Sequence, residues 1–184
     1  MRACISIIAG LFLSTLSGCT TPAGRPQTTN TNKEKVAAIP SPAELETKFG
    51  RQGCTIHFWE DGDTPTLLCN GKKIVVRMIG MDTAESGFDD NSRRRASRQA
   101  ELWKMSEKQV FACGKAATHR VRELCPVGSP ATVIGGERGK YGRLLAYVIC
   151  RGINLNHRLV EEGLAGRYPY PAPPERPAAC PLEP

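Results

Sequence analysis

The clearest patterning in the chain lies between Thr55 and Ile79. Thr55 to Glu60, Thr66 to Cys69 and Lys73 to Ile79 are rich in β-branched and apolar residues. Asp61-Gly62 and Asn70-Gly71 separate them, and both dipeptides favour tight hairpin turns. Three antiparallel strands are therefore predicted. Ahead of them, Ser41-Pro42-Ala43-Glu44 supplies an N-cap, a proline at the first helical position and a capping-box glutamate. Gly50 can stop the short helix that follows. Residues 86 to 112 show no strand pattern. There Ser92 could cap a helix reaching Met105, and Ser106 with Gln109 could cap another.

From Cys113 the apolar positions Ala117, Val121, Leu124 and Cys125 form the stripe of an amphipathic helix, which Pro126 and Gly128 end. Ala131 to Ile134 and Leu144 to Cys150 read as buried strands. Leu155 to Leu164 reads as a helix closed by Gly166. Three strands, a helix, two strands and a helix suit a small closed barrel. A parallel sheet would need helical crossovers between its strands.

The two ends differ from this body. Arg2 precedes an apolar run from Ile5 to Leu16, shorter than the ~20 residues that span a bilayer. Residues 1–18 read as a secretory signal. Leu16-Ser17-Gly18-Cys19 is similar to the lipobox of bacterial lipoproteins, which implies acylation at Cys19 and attachment to a membrane. Residues 19–40, poor in large apolar side chains, are expected to be a flexible tether. The body is expected to span residues 41–168, with 86–112 as a basic helical insertion. Residues 169–184 form a proline-rich tail, expected to be irregular. A cell-envelope location follows, on the periplasmic or extracellular side, and the chain is expected to act as a monomer.

The formal charge of +7 fits a polyanionic partner, and fits solubility or anionic lipid equally well. Of eight cysteines, Cys4 leaves with the signal and Cys19 takes the lipid. The remaining six form an even set in an exported chain. No CxxC pair occurs and His57, His119 and His157 are scattered, which argues against a zinc site. A two-residue loop at Asp61-Gly62 would pair Glu60 with Asp63 and set Cys54 opposite Cys69, within disulfide reach. Pro65 would fall at a hydrogen-bonded position and can force a bulge. Cys113 and Cys125 sit ~18 Å apart on one helix, too far to pair. Cys125–Cys150 and Cys113–Cys180 are the favoured remaining links.

Charged residues interrupt the strand ends. Asp63 follows the first hairpin turn, and Arg77 lies inside the run Ile74-Val75-Val76. Asp82-Thr83-Ala84-Glu85 follows that strand, and Arg143 stands at the entry of the next. Any one of these has a structural explanation, because turn aspartates cap backbone and strand arginines pair with carboxylates. Three carboxylates and two arginines together suit phosphodiester cleavage. A hard divalent cation takes carboxylate and carbonyl oxygens, here Asp63, Asp82 and a backbone carbonyl. Guanidinium groups grip a phosphate, and a further carboxylate, Glu85, can deprotonate water.

Asp61-Gly62-Asp63-Thr64, Val76-Arg77-Met78-Ile79-Gly80-Met81-Asp82-Thr83-Ala84-Glu85, Lys140-Tyr141-Gly142-Arg143 with Leu145-Ala146-Tyr147, and Glu162-Gly163-Leu164-Ala165 occur in this order. Over residues 52 to 168 the chain resembles the staphylococcal nuclease family. The resemblance implies an α+β, mainly β fold, a five-stranded OB-fold barrel with flanking helices. It also implies Ca²⁺ dependence and hydrolysis of DNA and RNA to 3′-phosphate products. Matched by position, Asp63, Asp82 and the Thr83 carbonyl are metal ligands and Glu85 is the general base. Arg77 and Arg143 are phosphate-binding catalytic residues, while Lys140 and Tyr141 are substrate-binding. Ala84 replaces the family's usual proline, Gly139 replaces a common acid, and the segment after Glu85 is much longer. Two rival readings are a barrel that binds single strands without cutting them and a lipoprotein with no ligand. Only 6% aromatic content is thin for a stacking platform.

Overall fold

The computed structural model describes residues 39–180. The signal segment, Cys19 and nearly all of the expected tether lie outside the described residues. A short helix α1 (Pro42–Phe49) comes first, with the capping box formed by Ser41 and Glu44. Strands β1 (Arg51–Trp59), β2 (Pro65–Cys69) and β3 (Lys72–Met78) follow as an antiparallel meander, and β4 (Met81–Thr83) is a short outlier. Helices α2 (Asp90–Trp103) and α3 (Glu107–Leu124) lead to β5 (Pro130–Arg138) and β6 (Leu144–Cys150). The chain continues through β7 (Ile153–Asn154), α4 (Leu155–Glu161) and β8 (Ala165–Arg167).

Strand order β3-β2-β1-β5-β6, closed by parallel pairing of β3 with β6, makes a five-stranded barrel. Closure leaves the main strands without a long free edge. Trp59, Ile56, Leu67, Val76, Met78, Val133 and Val148 fill the interior, and Val121 of α3 with Leu155 and Leu159 of α4 seals it. Each such side chain contributes about 1.5–3 kcal/mol on burial. The Trp59 indole donates to the Cys125 carbonyl at 2.9 Å, so its one polar atom is satisfied. On the barrel's outer side, Leu45 of α1 packs on Ile134 and Tyr147. No helix among the described residues is long and apolar enough to cross a membrane.

Several boundaries differ from the sequence reading. The first turn is longer than two residues: Glu60 N–H donates to the Thr64 carbonyl, and Glu60 does not face Asp63. Pairings Thr55↔Leu68 and Ile56↔Leu67 give way to Phe58↔Thr66 and Trp59↔Pro65, so the strand bulges at His57. Pro65 cannot donate to a ladder, and the shift accommodates it. At the other end the expected register survives, and Cys54 and Cys69 form a disulfide with Cα atoms 4.4 Å apart. The structure also links Cys113 to Cys180 and Cys125 to Cys150.

Helix α2 begins ahead of Ser92. Asp89 is its N-cap, accepting from Asn91 and Ser92 N–H, while the Ser92 hydroxyl donates to the other Asp89 oxygen at 2.6 Å. Ser106 and Gln109 do form a capping box, and α3 runs unbroken from there through Cys113. Strand β5 continues past Ile134 because a bulge at Gly135-Gly136 keeps it paired with β6. Helix α4 stops at Glu161, with Gly163 at positive φ; Gly166 instead pairs with Asp82 inside β8. The tail up to Cys180 is irregular yet held down. Glu175 N–H donates to Arg167, Ala179 N–H to Gly163, and the Trp103 indole to Pro174.

Candidate active site

Three pieces of chain meet at one end of β3. Asp63 closes the β1–β2 turn, and its carbonyl accepts from Met78 N–H at 2.9 Å, which pins the turn to β3. Gly62 allows the approach: a Cβ there would sit 2.9 Å from both Ala117 Cβ and Thr83 Cγ2. Strand β4 pairs with β8 and so presents Asp82 and Thr83 beside the turn. Gly114 of α3 lies directly under the next loop, where a Cβ would be only 2.2 Å from the Glu85 carbonyl oxygen. Any side chain at Gly114 would displace Glu85.

Asp63 is almost fully buried and both carboxylate oxygens are engaged. Oδ2 accepts from Thr83 N–H at 2.9 Å and from the Thr83 hydroxyl at 3.1 Å, while Oδ1 accepts from the Thr64 hydroxyl at 2.9 Å. Arg77 forms ion pairs with Asp63 through one terminal nitrogen and with Asp82 through the other. Burial works to raise the Asp63 carboxyl, but Arg77 and the Thr83 amide outweigh it and hold the group below its ordinary value. Burial dominates at Asp82, whose pKa is raised despite Arg77, with the Asp63 charge adding to the effect. Burial also opposes the charged form of Arg77, yet the two carboxylates raise its pKa further. Asp61, whose Oδ1 accepts from Asp63 N–H at 3.1 Å, is pushed up to about 8 by burial and then by the Asp63 charge.

Glu85 follows on the same loop, and both its oxygens face Arg95 of α2 at 2.5 and 3.0 Å. Arg143 stands where β6 begins and donates to the Thr64 hydroxyl at 3.4 Å, the same hydroxyl that bonds Asp63. Thus Asp63, Arg77, Asp82, Thr83, Glu85 and Arg143 share one end of the barrel. Lys140 and Tyr141 sit on the hairpin that carries Arg143; Tyr141 is 76% exposed, and its ring lies 5.9 Å from the Arg143 guanidinium.

Four residues of this region are given no place among the catalytic groups by the sequence. Gln99 and Arg95 reach the loop from α2, and Asp61 joins the acidic cluster. Tyr168 stands near enough for Asp82 to act on it: burial first, then that charge, raises its phenol pKa. A polar residue inside the Ala96, Ala100, Trp103 stripe is the one available signal for Gln99.

A model of the family described as staphylococcal nuclease homologue matches residues 75–179, which carry Arg77, Asp82, Glu85 and Arg143. The chain belongs to the staphylococcal nuclease family. It is 36% identical over 107 residues to Endonuclease YncB of Bacillus subtilis (strain 168), covering 57% of this chain and 43% of that protein. To Micrococcal nuclease of Shigella flexneri it is 34% identical over 110 residues, covering 60% and 55%. To the SPbeta prophage-derived endonuclease YokF of Bacillus subtilis (strain 168) it is 34% identical over 107 residues, covering 57% and 30%. The matched segment thus spans between 30% and 55% of these relatives' own lengths.

The donor set can be tested against the hard cation that the family resemblance implies. Two carboxylates, Asp63 fully buried and Asp82 largely so, share a single guanidinium, and the Thr83 carbonyl follows Asp82 directly in the chain. This is an all-oxygen set with negative charge in excess of its one cation, which suits Ca²⁺ or Mg²⁺ over a soft metal. Among the described residues no group of three or more His, Cys, Asp or Glu side chains is gathered closely enough to hold a metal ion by itself, so the Thr83 carbonyl would have to complete the set.

Proposed function

We propose that this chain is a calcium-dependent phosphodiesterase that hydrolyses DNA and RNA endonucleolytically to products ending in 3′-phosphate. The reading is carried by the direct contact of Arg77 in β3 with both Asp63 of the β1–β2 turn and Asp82 of β4, three residues before Glu85. Family membership supports the nuclease activity, and the oxygen-only donor set supports the calcium requirement.

When bound by Asp63, Asp82 and the Thr83 carbonyl, Ca²⁺ supplies charge neutralisation at the phosphate and a site for water. The rest falls to the chain. Glu85 takes the proton from the attacking water as its oxygen bonds to phosphorus. The bond between phosphorus and the 5′-oxygen breaks, and that oxygen leaves with a proton from solvent. Arg77 keeps donors beyond those on the two carboxylates, since a guanidinium carries five N–H groups. With Arg143 it stabilises the charge that grows on the equatorial oxygens. Lys140 and Tyr141, on the exposed hairpin, contact the neighbouring phosphate.

The product ends test the reaction. Fragments of DNA and RNA oligonucleotides are expected to resist polymerase extension until treated with phosphatase. Fragments that extend without that treatment carry 3′-hydroxyls and contradict the proposed bond cleavage.

The protein is further proposed to act as a monomer at the outer side of a membrane, held by lipid on Cys19. Support comes from the Leu16-Ser17-Gly18-Cys19 segment and from three disulfides, which persist in oxidising compartments. Palmitate fed to growing cells should label the chain and leave Cys19→Ser unlabelled. An unlabelled parent chain rules the anchor out.

A further inference from the structure

Helix α2 belongs to the long segment after Glu85, and its sequence suggests only a basic surface. Its buried side points at the catalytic loop. The Gln99 side chain directs every strong hydrogen-bonding atom there: its amide nitrogen donates to Asp82 Oδ2 at 3.1 Å and to the Thr83 carbonyl at 3.0 Å. Its amide oxygen accepts from Glu85 N–H at 2.9 Å. One side chain therefore ties together the two groups assigned to the cation from this loop and the backbone of the assigned general base. Four residues earlier, on the same helix face, Arg95 holds the Glu85 carboxylate.

The helix is well placed to transmit rigidity. Ala96, Ala100 and Trp103 bury against Val110 and Cys113 of α3, with Ala84 of the loop and Cys180 of the tail in the same cluster. Cys113 is bonded to Cys180, and Trp103 donates to Pro174, so the tail closes over the helix pair. Ala84 occupies the position where the family commonly has proline, whose fixed φ would stiffen the loop on its own. Here stiffness comes from outside the loop.

We propose that Gln99 is a positioning residue of the active site, holding Asp82, the Thr83 carbonyl and Glu85 in the arrangement that cation binding and water activation need. Each bond orients a group that itself does the chemistry, as outer-shell partners orient metal ligands elsewhere. Neither Leu nor Met at this position can donate to Asp82 and Thr83 or accept from Glu85, though both match Gln in length and helix preference closely. This proposal rests on the calcium-nuclease reading above.

The test uses the full chain with Gln99→Leu and Gln99→Met. Calorimetric titration of Ca²⁺ without nucleic acid should show affinity weakened by about 10–100-fold. In plasmid digestion at saturating Ca²⁺, kcat should fall with KM for the nucleic acid unchanged, at temperatures well below each variant's Tm. A lowered Tm with parental Ca²⁺ affinity and parental kcat means Gln99 serves stability alone and overturns the proposal. Hydrogen exchange of the parent chain needs no variant. The Glu85 amide should be protected, and exchange at the rate of an open loop overturns the clamp even if neither variant folds. A parent that neither binds Ca²⁺ nor cuts overturns the nuclease reading and this inference with it. A parent that does both while the variants match it overturns this inference alone.

Discussion

Glu85 and Arg95 face each other through both carboxylate oxygens, at 2.5 and 3.0 Å. The Glu85 side chain is largely covered while Arg95 remains half exposed, so the arginine is the movable partner. In the proposed mechanism the exposed arginine would turn to a phosphate as nucleic acid arrives and leave the Glu85 carboxylate to water. Glu85→Gln keeps the size and loses the base. Its turnover should fall by about 10²–10⁴-fold, with circular dichroism and Tm as in the parent. Turnover within a few-fold of the parent would remove Glu85 from the mechanism.

The two arginines should behave differently. Arg77 is largely buried between Asp63 and Asp82, whereas Arg143 reaches only the Thr64 hydroxyl. Lysine keeps the charge at either site but loses the planar fork that serves two acceptors at once. Arg77→Lys is therefore expected to lose both turnover and thermal stability. Arg143→Lys is expected to lose turnover with Tm unchanged. Parental rates in both variants would refute a guanidinium clamp on the phosphate.

The basic helix divides in the same way. Arg93, Arg94 and Arg98 are exposed, with Arg93 donating to the Phe88 carbonyl and Arg94 to Asn91, while Arg95 serves Glu85. Replacing Arg93, Arg94 and Arg98 by Gln should flatten the plot of log affinity against log salt. On duplex DNA the slope should drop by about 0.9 for each phosphate that is no longer neutralised. An unchanged slope would make this a solvated helix face with no part in binding.

Peptide mapping under non-reducing conditions should recover Cys54 joined to Cys69, Cys125 to Cys150 and Cys113 to Cys180. A peptide joining Cys113 to Cys125 would break α3, which runs intact between them.

What is legible in the sequence is local. Hairpin dipeptides and runs of β-branched and apolar residues mark the meander, and the Ser106–Gln109 box marks the start of α3. Ser92 resembles a cap, but Asp89, three residues earlier, is an equally good one and takes the role. Strands β4, β7 and β8 are two or three residues long and owe their existence to distant partners, so no periodicity could announce them. The site divides on the same line. Asp63, Arg77, Asp82 and Glu85 stand in or beside strands whose order the pattern predicts. Gln99 and Arg95 matter only because α2 folds back over the loop, and Asp61 only because the turn brings its carboxylate onto the Asp63 amide.

The most direct measurement is digestion of supercoiled plasmid by the purified chain, with Ca²⁺ or with EDTA, beside Glu85→Gln. Nicking and linearisation are predicted in Ca²⁺, none in EDTA, and almost none by the variant. Cleavage continuing at full rate in EDTA, or DNA bound in Ca²⁺ and left uncut, would contradict the account.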